Sequence, residues 1–199
     1  METQGSNNVC ALSPEIVISA YKLGFFPMAE SDGSIYWHNP NPRSIIPLDE
    51  IKMSHSMKQL FRKKVFEFTI NKACKKVIVE CSKREETWIS EEIIKTYTEL
   101  NKMGYVHSVE AWKDGELAGG LYGVAIGGAF FGESMFTKVS NASKACFYFL
   151  VERLKKKGFR LLDSQYINEH TLSLGAILIP KELYLQLLKE ATDLPCTFI

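Results

Sequence analysis

The sequence predicts an α+β fold, with a small N-terminal domain (residues 1–42) ahead of a larger domain (43–199) built on a mostly antiparallel sheet. Three observations carry this expectation. The 199 residues suit one large domain, or a small one fused to a medium one. From Tyr105 the apolar pattern changes to strand-like segments that follow one another without helices between them. Before Arg43 the stretch FFPMAESDGSIYWHNPNPR is dense in Pro, Gly and Asn, and marks a boundary near Pro42.

The elements follow in order. Ser13-Pro14-Glu15 offers an N-cap, a first-turn proline and an acidic first turn, and Gly24 stops the helix. The aromatic stretch after it reads as a loop that packs onto something, because rings are seldom spent on pure spacers. Ser54 caps a short helix, SHSMKQLFRKK, whose apolar stripe is Met57, Leu60 and Phe61. FEFTI (66–70) alternates like a half-buried strand. Helices are expected from about Lys72 to Cys81 and from Ser90 to Met103, the latter closed by Gly104. YVHSVEAWK, the Asp114-Gly115 turn and ELAGGLYGVAI form a hairpin, and AFFGESMF adds a third strand. Asn141 opens a long helix with a basic end, FRLLDSQ is the next strand, and Pro180 starts a last helix.

Composition narrows the function classes. With 46% hydrophobic and 24% charged residues the chain is an ordinary globule. No apolar run approaches the roughly 20 residues of a membrane span. METQGSNNVCALS lacks the basic and apolar segments of a secretory signal. The five cysteines (Cys10, Cys74, Cys81, Cys146, Cys196) are scattered, as expected of reduced thiols in the cytoplasm. His38, His55, His107 and His170 show no metal-ligand spacing, so neither metal nor cofactor is expected. A net charge of +1 confines any nucleic-acid surface to a local patch.

A three-strand meander followed by helix, strand and helix is the core order of the GNAT-type acyltransferase fold. Coenzyme A enzymes of that type hold pyrophosphate on a glycine-rich turn before the central helix. Here that turn reads FTKVSNASKA and contains no glycine, so another activated acyl donor is expected.

The strings AYKLGFFP, NPNPRSIIP, TWIS, GYVHSVEAW, GGLYGVAIG, FFGESMF, NASKA and LLDSQYINEHTLSLGA run in order from about residue 20 to 180. On these the chain resembles the bacterial leucyl/phenylalanyl-tRNA–protein transferases. The resemblance implies a small N-terminal domain joined to a GNAT-like catalytic domain. It also implies transfer of Leu or Phe, with Met as a further donor, from aminoacyl-tRNA to the N-terminal α-amino group of proteins starting with Arg or Lys. That modification marks the acceptor for degradation, and a monomer is expected. An aminoacyl ester is already activated, so the enzyme needs no covalent intermediate. Positioning alone can lower such a barrier by roughly 7–11 kcal/mol.

The resemblance assigns Asp163 and Gln165, two positions apart on a strand, to the reaction centre. Gln165 would orient the attacking amine, while Asp163 would bind the terminal ribose or polarise Gln165. Both Ala variants are expected to fold and lose transfer. Leu121, Phe130, Gly132, Glu133, Ser134, Leu150 and Leu162 fall at or beside the family's side-chain pocket, although Leu121, Phe130, Leu150 and Leu162 taken singly read as core. Glu133 would receive the donor's α-ammonium or shape the pocket floor. Trp88 and Tyr97 match ring positions at the adenosine and the pocket entrance, and helix-edge packing is the plain alternative. Lys58, Arg62 and Lys63, with Lys64, resemble the contact to the tRNA body, although a charge run is more often a solvated face.

Two departures stand out. Met28 replaces the usual Trp at an adenosine position, and METQGSNNVCALS replaces a longer Gly- and Leu-rich beginning. Two alternatives stay open: Arg transfer to acidic N-termini on the same fold, and a non-catalytic module binding tRNA or peptide. A coenzyme A acetyltransferase is the weakest rival.

Overall fold

A computed structural model describes residues 12–84 and 86–199; Cys10 and the rest of METQGSNNVCA lie outside the described residues. Helix α1 (Pro14–Lys22) starts where Ser13 Oγ accepts the Ile16 N–H at 3.3 Å, a cap worth about 1 kcal/mol. The aromatic stretch, expected as a loop, is instead a hairpin of β1 (Phe26–Ala29) and β2 (Ile35–His38). Its two-stranded form lets Pro27 sit without a ladder donor. Such a ribbon is marginal alone. It is held because Phe26 and Ala29 enter the same core as Val17 and Tyr21 of α1 and Tyr97, Tyr122 and Phe131 further along the chain.

The chain then joins the main sheet through β3 (Arg43–Ile45), a three-residue strand missing from the expectation above. Next come α2 (His55–Arg62), β4 (Glu67–Ile70), α3 (Cys74–Ser82) and α4 (Glu91–Lys102). In α4, buried Ile93, Thr96, Tyr97 and Leu100 recur at helical spacing and form one inward stripe. The meander follows as β5 (Val106–Lys113), β6 (Glu116–Ile126) and β7 (Ala129–Thr137). Asp114 and Gly115 turn the first hairpin with φ of 52° and 79°, the left-handed pair a two-residue connection needs. Helix α5 (Ala142–Lys156) crosses over to β8 (Leu161–Gln165). Asn141 does open α5, but from a left-handed φ of 68° and without a side-chain cap bond. Two further elements were not expected, the short α6 (Glu169–Ser173) and β9 (Ile177–Ile179), before α7 (Lys181–Thr192) closes the fold.

The seven-stranded sheet runs β4-β5-β6-β7-β8-β3-β9, with β7 and β8 parallel and the other described pairs antiparallel. It is covered on both faces. In β6, Tyr122, Val124 and Ile126 join the core that contains α1, α3, α4 and α7, while Leu121 and Ala125 join the one beneath α2 and α5. Side chains as fully enclosed as Ile78, Leu100 and Leu154 contribute about 1.5–3 kcal/mol each. Cys74, Cys81, Cys146 and Cys196 are free thiols. Among the described residues no helix is long and apolar enough to cross a membrane.

Candidate active site

The parallel pairing of β7 and β8 is brief: Ala129↔Leu161, Phe130↔Leu162 and Phe131↔Asp163. Beyond those pairs the two strands part, and Gly132 to Met135 of β7 face Ser164 and Gln165 of β8 across a cavity of about 250 Å³. A bulge in β7 helps to open it. Tyr122 pairs Ser134 and Gly123 pairs Gly132, so Glu133 is the extra residue, turned out of the ladder. Leu121, Leu150, Leu162, Phe147 and Ile46 form apolar walls, while Met28 and Trp88 stand on another side. The hairpin and the segment ahead of α4 meet there, since the Ala29 N–H donates to the Trp88 carbonyl at 3.0 Å.

Gln165 ends β8 in the left-handed region, with φ of 63°. Its backbone N–H donates to Asp163 Oδ1 at 2.8 Å, which compensates that unusual conformation. Its amide Nε2 donates to Glu133 Oε1 at 2.9 Å, which leaves the amide oxygen Oε1 as the acceptor at the cavity. Glu133 Oε1 also accepts the Tyr21 hydroxyl at 2.7 Å. Since that proton goes to Glu133, the 2.6 Å contact between Tyr97 and Tyr21 has Tyr97 as donor. Burial pushes the Glu133 carboxyl up to about 8, and the hydrogen bonds from Tyr21 and Gln165 only partly oppose it. At the floor, Glu133 Oε2 and the Tyr122 hydroxyl are buried without a partner among the described residues.

Several expected placements need correction. Asp163 borders the cavity but exposes none of its side chain. Arg43 Nε and Nη2 hold its two oxygens at 3.0 and 2.7 Å, and the Tyr184 hydroxyl donates at 2.7 Å. With its lone pairs turned inward, Asp163 is not free to bind a ribose, and what it touches at the cavity is the Gln165 backbone N–H. Tyr97 is not a ring at the entrance; it is fully enclosed and reaches the cavity only through Tyr21. Phe130 is likewise off the cavity wall, because strand alternation turns it into the α5-side core, where it stacks on Phe198 at 5.3 Å. Glu133 lies at the cavity floor, where Oε1 holds two donors and Oε2 has no partner among the described residues.

The remaining positions converge: Met28, Trp88, Leu121, Gly132, Glu133, Ser134, Leu150 and Leu162 all line the cavity. Lys58, Arg62 and Lys63 do not; they form an exposed strip on α2 and at its end. Sequence reasoning missed Tyr21, Arg43, Tyr122, Arg84 and Tyr184. Arg43 carried a weak signal, a cation directly ahead of the apolar run Ser44-Ile45-Ile46. Tyr21, Tyr122 and Tyr184 gave none, because tyrosines within apolar helices and strands read as core, and Arg84 gave none because it is one charge in the run Lys83-Arg84-Glu85-Glu86.

Comparisons with known proteins agree over nearly the whole chain. The sequence model of the family described as leucyl/phenylalanyl-tRNA protein transferase matches residues 45–189, and that of the family's N-terminal domain matches 11–41. The leucyl/phenylalanyl-tRNA–protein transferase of Gloeobacter violaceus is 52% identical over 188 residues, covering 94% of this chain and 97% of its own. That of Herpetosiphon aurantiacus is 49% identical over 188 residues, covering 94% and 98%. The Chlorobaculum tepidum protein of the same description is 49% identical over 190 residues, covering 93% and 98%.

Proposed function

The chain belongs to the leucyl/phenylalanyl-tRNA–protein transferase family, and from that premise we propose that it transfers Leu or Phe from aminoacyl-tRNA to protein N-termini beginning with Arg or Lys. The observation that carries the reading is Gln165 at the parting of β7 and β8, its amide nitrogen held by Glu133 and its oxygen left for a donor. The acceptor's neutral α-amine attacks the ester carbonyl, a C–N bond forms, and the C–O bond to the ribose breaks. Gln165 Oε1 accepts one N–H of the amine and aligns it, and the lost proton ends on the departing ribose oxygen. Asp163 acts through Gln165 by fixing its backbone N–H.

Leu121, Leu150 and Leu162 suit the donor side chain, and apolar walls separate residues differing by a methylene by only roughly 1–3 kcal/mol. Leu, Phe and Met are therefore all within reach. Trp88 offers its ring to the terminal adenine, a contact worth about 1–3 kcal/mol, with Met28 beside it. Lys58, Arg62 and Lys63 take phosphates of the tRNA body. Residues 1–42 act as the small N-terminal domain in this reading and supply Tyr21 and Met28, while 43–199 carry the chemistry. The protein works as a monomer in the cytoplasm, where charged tRNA is present.

The deciding experiment mixes purified protein with labelled Leu-, Phe-, Met- and Arg-tRNA and with peptides starting with Arg, Lys, Asp or Glu. Leu or Phe should appear on the Arg and Lys peptides only. Arg on the acidic peptides, or no product anywhere, overturns the reading.

A further inference from the structure

Arg84 has no part in the chemistry above. It lies exposed between α3 and α4 and reaches the cavity mouth. Its Nη2 donates to the Met135 carbonyl at 2.5 Å and to Ser134 Oγ at 3.2 Å, which pins the guanidinium against β7. Those bonds use one nitrogen of three. Nε and Nη1 have no hydrogen-bond partner among the described residues, and Arg84 joins none of the ion pairs there. An exposed arginine is ordinary. One anchored by a single nitrogen, with Nε and Nη1 unpaired among the described residues at the edge of the cavity, is positioned for an anion.

The surroundings carry the same sign. His170 also lines the mouth, with Nε2 2.7 Å from Met135 Sδ. Burial, then the charges of Arg84 and Lys144, lower its pKa. The cavity thus grades from buried polar atoms at the floor, through apolar walls, to a cationic edge.

We propose that Arg84 is a phosphate clamp, gripping the phosphate on the 5′ side of the donor's terminal adenosine. The inference rests on the aminoacyl-tRNA reading and adds a contact to it. With the ester at Gln165 and the base against Trp88, the sugar's remaining substituent points outward along the rim. With Nη2 committed to β7, a free N–H of Nε or Nη1 donates to one phosphate oxygen as a charge-assisted hydrogen bond. This contact would hold the single-stranded end of the donor in line, independently of the α2 strip.

The test compares two minimal donors, 3′-leucyl-adenosine and its 5′-phosphate, with an Arg-initiated peptide as acceptor. Wild type is expected to show a KM about tenfold lower for the phosphorylated donor, in keeping with a charge-assisted hydrogen bond. Arg84→Gln should abolish that advantage without changing kcat, and Arg84→Lys should restore part of it. If Arg84 merely ties its loop to β7, Arg84→Gln raises KM equally for both donors, and the clamp is refuted. A phosphate advantage that survives in Arg84→Gln refutes it too. Equal KM for the two donors in wild type, or no use of either while Leu-tRNA is used, refutes the clamp alone; a wild type that uses neither these donors nor Leu-tRNA sinks the transfer reading itself, and the clamp with it.

Discussion

Arg43 and Asp163 stand 120 residues apart in the chain and meet through two hydrogen bonds, of 3.0 and 2.7 Å, with neither side chain exposed. Arg43 also donates Nη1 to the Gly24 carbonyl at 3.0 Å and lies between the rings of Phe26 and Tyr184. One guanidinium thereby joins the end of α1, β3, β8 and α7 beneath the reaction centre.

Breaking that pair should cost stability as well as activity, so Asp163→Ala will not fold as well as wild type. Removing one partner of a buried pair leaves an unpaired charge, at a cost of roughly 3–5 kcal/mol. Arg43→Met should cost a similar amount, and the double variant Arg43→Met with Asp163→Leu should recover a large part. Urea unfolding of the three variants checks this. Additive losses in the double variant would show that the two residues do not act as a pair.

Gln165 differs, because its side chain makes one described hydrogen bond, to Glu133, and otherwise borders the cavity. Gln165→Ala should keep its melting temperature within a few degrees and lose about 10²–10³ in kcat, the usual effect of deleting one preorganised hydrogen-bonding group. KM for aminoacyl-tRNA should stay close to wild type. A variant with normal kcat would remove Gln165 from the reaction.

Glu133 makes stability depend on pH in a direction opposite to most carboxylates. Burial raises its folded value to about 8 from an ordinary value of 4.5, so over that interval the folded state binds more protons than the unfolded one. Its contribution is complete below pH 4.5 and is lost as pH rises through about 8. Glu133→Gln keeps an acceptor for Tyr21 and should flatten this trend. Urea midpoints of wild type and variant from pH 5 to 9 give the comparison; parallel curves would disprove a buried, protonated Glu133.

His107 should act on the acid side. Burial lowers its value to about 4 from 6.5, and its ring stacks on Phe198 at 4.4 Å. The unfolded chain takes up that proton first, so stability falls as pH drops from 6.5 to about 4 and then levels. Replacement by Gln should weaken the protein at neutral pH but reduce this decline, as acid titration followed by circular dichroism would register.

Reversing Lys58, Arg62 and Lys63 to Glu should raise KM for aminoacyl-tRNA while kcat and the melting temperature hold. The salt dependence of KM should lose about two to three units of log–log slope. An unchanged KM at low salt would return the strip to the role of a solvated face.

Much of this protein was legible residue by residue. Ser13, Ser54 and Ser90 mark helix starts because a hydroxyl three residues ahead of a free N–H is a local event. The Asp114-Gly115 turn and the alternation of β6 are equally local, and the ordered strings of the transferase family reach Gln165, Glu133 and the apolar walls. Three-residue β3 and β9 carry too little pattern to be seen, and become strands only because β8 offers an edge to β3 and β3 in turn offers one to β9. Fold alone decided which polar groups face the cavity and which face each other. Asp163 reads like a ribose contact or a partner of Gln165, yet Arg43 and Tyr184 enclose it; Tyr97 reads like a ring at the pocket entrance, yet it bonds to Tyr21; Arg84 reads like nothing, yet it stands at the mouth. The physical reason is that a side chain's chemistry depends on which partners and how much water surround it, and those partners lie many residues away in the chain.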